Sequence, residues 1–172
     1  MATVAPNDHR MDILELLTRA SIWFSVGCWA WVIAALLRQG AGLTERWLWT
    51  VGAGFYVIHS VAAFARFYQW SHAVAMGETA RQTLAATGFE SGAGLWLNYA
   101  FGIIWLLDAA YWWTRGEARY LGRSRLIQGV VHGFMAFMIL NGTVFFGHGA
   151  VVYFGALVFL GLAASIVRRL RK

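Results

Sequence analysis

Residues 126–167, LIQGVVHGFMAFMILNGTVFFGHGAVVYFGALVFLGLAASIV, decide the fold class. These 42 residues contain no Lys, Arg, Asp or Glu. As one helix they would extend about 63 Å, twice the roughly 30 Å hydrocarbon core of a bilayer. Gly147-His148-Gly149 lies near the middle, and two glycines around a polar residue mark a tight turn. The stretch therefore reads as two membrane spans, 126–147 and 149–167, joined by a hairpin.

Upstream, three further runs approach the roughly 20 residues that a spanning helix needs. Residues 20–37 carry no formal charge, residues 47–70 carry only Arg66, and residues 93–114 carry only Asp108. The composition agrees. Of 172 residues, 59% are hydrophobic and 13% charged, about half the charged share of a soluble domain. A soluble globule and a disordered chain are excluded. The lone Cys28 excludes a disulfide scaffold and any Cys-x-x-Cys site.

The expected fold is an all-α integral membrane bundle of about five transmembrane helices. Residues 20–172 form its transmembrane domain, and 71–92 form an outer loop with a helix-compatible MGETARQTLAAT. Residues 1–19 form an outer segment in which 11–17 suit a short amphipathic helix. Arg38 and Gln39 follow the first run where a signal peptide would show a small-residue cleavage site, so that run reads as a retained anchor.

The net charge of +6 would suggest nucleic acid in a soluble protein, but here it reads as topology. Arg38, Arg46, Arg115, Arg119, Arg123, Arg125 and the terminal RRLRK at 168–172 gather on one side. Arg10, Arg19 and Arg81 fall on the other, with Arg66 at a helix end. The positive-inside rule places the N-terminus outside and the C-terminus in the cytoplasm, as an odd number of spans requires. A bacterial cytoplasmic membrane is the expected location. Trp47 and Trp49, Phe67, Tyr68 and Trp70, Trp96 and Tyr99, and Tyr111, Trp112 and Trp113 sit at span ends, as interfacial aromatic belts do.

Polar groups inside a bilayer are costly and mark function. His59, Asp108, His132 and Asn141 fall within spans, while Arg66, His72, Asn98 and His148 fall near the outer boundary. The sharpest reading is a b-type haem held by His59 and His132, with Arg66 meeting its propionates and Gly52, Gly54, Gly129 and Gly133 leaving room for the macrocycle. This arrangement loosely resembles membrane cytochromes b, without matching a family motif. The two histidines differ by roughly 9 Å in expected depth, which tilt would have to absorb. The plainer reading has both as neutral imidazoles hydrogen-bonded across helices, with Gly129-x-x-x-Gly133 as a packing face and Asp108 orienting His132 at its own depth.

Two further readings use the same residues. His72 and His148 with Glu78 or Glu90 supply donors for copper or zinc. Asp108, Asn141 and Asn98 with the two buried histidines supply a polar track for a small proton-coupled carrier or channel. Hydrolase and nucleotide-binding motifs are absent from the sequence, which does not suit a stand-alone enzyme. The favoured expectation is an accessory or electron-transfer subunit. Its neighbours would be membrane lipid and other membrane subunits or further copies of itself, with no nucleic acid.

Overall fold

The computed structural model describes residues 12–38, 40–147 and 149–171, and among these it is helical without strands. Six helices follow in order: α1 (Ile13–Leu37), α2 (Leu43–Phe67), α3 (His72–Thr87), α4 (Gly94–Leu121), α5 (Arg125–Leu140) and α6 (Ala150–Leu170). A π-helical turn, Asn141–Phe145, continues α5. By length and composition, α1, α2, α5 with its π-turn, and α6 are apolar enough to cross a membrane. The longest helix, α4, is not among these four; Asn98, Asp108 and its Trp and Tyr residues make it less apolar.

Local chemistry sets the boundaries. The Asp12 carboxylate accepts from the backbone N–H of Glu15 at 2.9 Å and caps α1, which then runs unbroken to Leu37. Residues 13–17 are therefore the first turns of the apolar helix, and no separate surface helix exists there; Met11 lies outside the described residues. Helix cohesion wins, because nothing between Asp12 and Ala20 breaks the hydrogen-bond ladder. The outer-loop expectation resolves into α3, capped by Ser71 and ended at Gly88. Gln69 and Trp70, both with positive φ, turn the chain from α2 towards it. In the π-turn, Asn141 Nδ2 donates to the Phe137 carbonyl at 2.7 Å and Thr143 Oγ1 to the Ile139 carbonyl at 2.7 Å. These side chains compete for carbonyls that the α-helical ladder uses, and the helix widens there. The chain breaks between Phe145 and Ala150, where the glycine pair marks a turn.

Helices α1 and α2 lie antiparallel, because their contacts climb along one and fall along the other. Arg66 Nε meets Asp12 Oδ2 at 2.6 Å, His59 Nδ1 meets the Thr18 carbonyl at 2.8 Å, and Ser25 Oγ donates to the Gly52 carbonyl at 2.9 Å. A Cβ at Gly52 would fall 2.9 Å from both Cys28 Cβ and a Trp105 ring carbon, so glycine is what lets α1 and α4 approach α2 there. Helix α4 is antiparallel to α2, through Tyr56 Oη donating to the Asn98 carbonyl at 2.8 Å and Trp113 Nε1 to Thr50 Oγ1 at 2.8 Å. Helix α6 runs parallel to α1, with Trp23 against Phe154 and Trp29 against Phe159.

The core departs from the sequence reading in two ways. Trp49 and Trp112 are fully buried with Trp29 and Trp105, so they are core residues and not belt residues. Trp47, Trp70 and Trp96 are exposed, as belts are. The Gly129-x-x-x-Gly133 face packs nothing among the described residues: a Cβ at either position meets open space, as at Gly54.

Replacing Gly52 by Val is expected to destabilise the protein by about 1–3 kcal/mol through overpacking. Gly54→Val should leave stability within about 0.5 kcal/mol or raise it, because the site is open. Thermal unfolding of both variants in detergent checks this; equal Tm values would contradict the close approach.

Candidate functional site

The chain's charged core is built around Asp108, buried on α4. α4 breaks at Gly116, whose φ of 76° and ψ of 169° lie where only glycine sits without strain. The break brings the following segment back towards Asp108. Tyr120 Oη then donates to Asp108 Oδ2 at 2.7 Å, and Trp49 Nε1, from α2, donates to the same oxygen at 3.0 Å. Arg123 Nη1 pairs with Asp108 Oδ1, and Arg123 Nε donates to the Tyr120 carbonyl at 3.2 Å.

The pair is well shielded: the side chains of Arg123 and Asp108 are 7% and 3% exposed. The Tyr120 ring stacks on Trp112 at 3.9 Å and 5°, and the Arg123 guanidinium lies 3.9 Å from its centroid, so Tyr120 is sandwiched between them. Arg123 Nη2 is buried with no hydrogen-bond partner among the described residues. Beside the pair, an open cleft of about 320 Å³ lies between α4 and α5, walled by Ile104, Leu107, Tyr111, Ile127 and Val131.

The histidines are not brought together. His59 is engaged by the Thr18 carbonyl. The His132 ring stands edge-on to Trp49, with centroids 5.5 Å apart, and its Nδ1 is buried without a partner among the described residues. Trp49 and His59 are ten residues apart on one helix, so the imidazoles are separated by about 15 Å along the axis. One iron between them is not accommodated in this arrangement. Arg66, the expected propionate partner, instead ties the end of α2 to the cap of α1 through Asp12. The expected Asp108–His132 pairing is also replaced: both Asp108 oxygens are taken by Trp49, Tyr120 and Arg123, and a guanidinium is the stronger partner.

The described outer-face donors are engaged elsewhere. Exposed His72, at the start of α3, has its Nδ1 3.1 Å from Tyr99 Oη and its ring against Trp96. Glu78 is occupied by Arg81, at 2.6 and 2.9 Å, and by Gln82 at 2.8 Å. The hydrogen bonds from Arg81, then Gln82, hold its carboxyl below the usual range. His148 lies outside the described residues. Among the described residues no three His, Cys, Asp or Glu side chains gather as metal ligands would. Asn141 serves the π-turn and Asn98 contributes only its carbonyl, to Tyr56.

Sequence reasoning thus found Asp108 but missed its partners. In the sequence Arg123 reads only as a topology charge and Trp49 as a belt residue, and nothing singles out Tyr120. The available signal was the carboxylate itself, since a charge buried in an apolar helix needs a cation. Gly116 selects Arg123 over nearer arginines. No protein-family model, curated protein or solved structure matches the chain.

Breaking the pair from either side, by Asp108→Leu or Arg123→Leu, is expected to cost about 3–5 kcal/mol, because each leaves a buried charge alone. The double variant should lose less than the sum of the single losses, read as a double-mutant cycle in detergent; strict additivity would show that the pair is not coupled. In protein purified with haem synthesis intact, no Soret band in a reduced-minus-oxidised spectrum should depend on both His59 and His132. A band lost in both His59→Ala and His132→Ala would overturn the separation described here.

Proposed function

We propose that the chain is a non-catalytic accessory subunit of a membrane complex, with α4 as a fifth span, the N-terminus outside and the C-terminus cytoplasmic. The antiparallel order of α1, α2, α4, α5 and α6 supports this topology, because α4 needs a partner on each side and its charge is neutralised internally. The arginine-rich end then faces the cytoplasm, as the positive-inside rule asks.

One observation carries the subunit reading. On α5, Leu126, Val130, Gly133 and Phe137 fall on one stripe with Gly129 at its edge. Leu126, Val130 and Phe137 are 76%, 62% and 52% exposed, and among the described residues nothing from another helix lies within 4 Å of a Cβ at either glycine. In lipid, helices gain little hydrophobic energy by associating, and small-residue notches of this kind permit the close backbone approach that drives pairing. The notch is unused within the chain and fits a helix from another subunit. Transport is less favoured because Asp108, a natural relay group, already accepts hydrogen bonds from three side chains.

After mild-detergent extraction from native membranes, the protein should migrate as an assembly larger than its 19.2 kDa chain. Gly129→Ile with Gly133→Ile should release it as a folded monomer. Identical migration of the two forms would sink the notch. For topology, Ser91→Cys in a Cys28→Ala background should react with an impermeant maleimide in intact cells, and Arg171→Cys only after permeabilisation. Labelling of both from one side would leave four spans.

A further inference from the structure

The α4/α5 cleft has a chemistry that neither the subunit role nor the helix-locking role of Asp108 uses. We propose that it binds one anionic phospholipid of the cytoplasmic leaflet, with an acyl chain along the cleft and the phosphate at Arg123 and Arg115. The proposal rests on the five-span orientation given above, which puts the arginine-rich end at that leaflet.

The shape favours a tail. From Ile104 to Tyr111 the cleft follows α4 for seven residues, about 10 Å, parallel to the helix axis. Its walls are aliphatic at Ile104, Leu107, Ile127 and Val131, with the polar groups Asp108, Tyr111 and Arg123 among them; the Asp108 carboxylate is itself covered by its three donors. An acyl chain entering from the interface therefore meets apolar wall along the direction lipid tails already take, while its phosphate stays among arginines.

The polar end has an unmet demand. A guanidinium offers five N–H donors, and Arg123 commits Nη1 to Asp108 and Nε to the Tyr120 carbonyl. Nη2 is buried with no acceptor among the described residues, on a side chain that lines the cleft. A phosphate oxygen supplies that acceptor through a charge-assisted bond. Asp108 neutralises Arg123, so selectivity for an anion needs a further cation. Exposed Arg115 lies one turn beyond Tyr111 on the same face of α4, before the Gly116 break. A free phosphate would gain nothing from the aliphatic walls, and a zwitterionic lipid, whose cationic headgroup offsets its phosphate, would gain less from Arg115.

The test is native mass spectrometry of the full-length, delipidated protein in detergent, titrated with phosphatidylglycerol and, separately, phosphatidylcholine. One phosphatidylglycerol should bind at least about tenfold more tightly than phosphatidylcholine. Ile127→Trp fills the cleft without touching the ion pair and should weaken that binding about tenfold, while Leu160→Trp on the exposed face of α6 should not. Arg115→Gln should lose the preference between the two lipids. Millimolar inorganic phosphate should not displace the lipid; displacement would identify a bare anion site and overturn the proposal. Equal binding of both lipids, or undiminished phosphatidylglycerol binding in Ile127→Trp that retains its Tm, would overturn it too. The cysteine labelling given above separates the levels of failure. Labelling of Arg171→Cys in intact cells overturns the five-span orientation and this site together, whereas the expected labelling without lipid selectivity overturns this site alone.

Discussion

The arrangement of this protein depends on how a buried carboxylate finds its donors inside an apolar bundle. Asp108 is the one buried acidic side chain among the described residues, and its solvation is replaced by three donors from three places. Trp49 brings α2, Tyr120 brings the segment beyond the Gly116 break, and Arg123 brings the link into α5. Each donor repays part of the desolvation cost, and none could be removed without leaving a buried polar group unmet. The break at Gly116 is a consequence of the same demand, because a straight α4 would carry Tyr120 and Arg123 about 18 Å and 22 Å along the axis from Asp108.

The rest of the bundle divides by what holds it. Helices α1 and α2 are joined along most of their length by small side chains and short polar contacts: Thr18, Ser21 and Ser25 are buried between them, and Gly52 closes the gap. Such residues cost little side-chain entropy and allow close backbone approach, which is the main source of association energy between helices in lipid. Helices α5 and α6 are attached differently. Their junction relies on Thr143 of the π-turn, which sits where a Cβ on Gly155 would be, while Tyr153, Leu157 and Leu160 face outward. The half of the protein that is tightly self-packed is thus distinct from the half that offers free helix surface.

The helical class is legible in the sequence because it depends on length and apolar content alone, whereas the start of α1 at Ile13, seven residues before the expected span, depends on the Asp12 cap. The helix break between Phe145 and Ala150 is readable from its glycines, and α3 from the helix-compatible run at 76–87, for the same local reason. What was not legible depends on chain direction after a break. Nothing local to Gly116 says that its φ is positive, and without that turn Arg123 looks like one more cytoplasmic arginine. The same limit applies to Trp49 and Trp112: span-end position predicts an interfacial ring, but burial is decided by which helix faces them. His59 and His132 were chosen for residue type, which carries no information about azimuth; their real neighbours, the Thr18 carbonyl and the Trp49 ring, lie on different helices and at different depths.

The saturation of Asp108 also constrains what kind of site this chain can build. Both oxygens of Asp108 are engaged by side-chain donors, and those same contacts hold the segment beyond Gly116 against the bundle. The remaining donor capacity sits on Arg123, at the edge of the α4/α5 cleft, where the positive end of an internally neutral pair faces apolar walls. A group that approaches this edge must therefore bring an acceptor of its own for that donor.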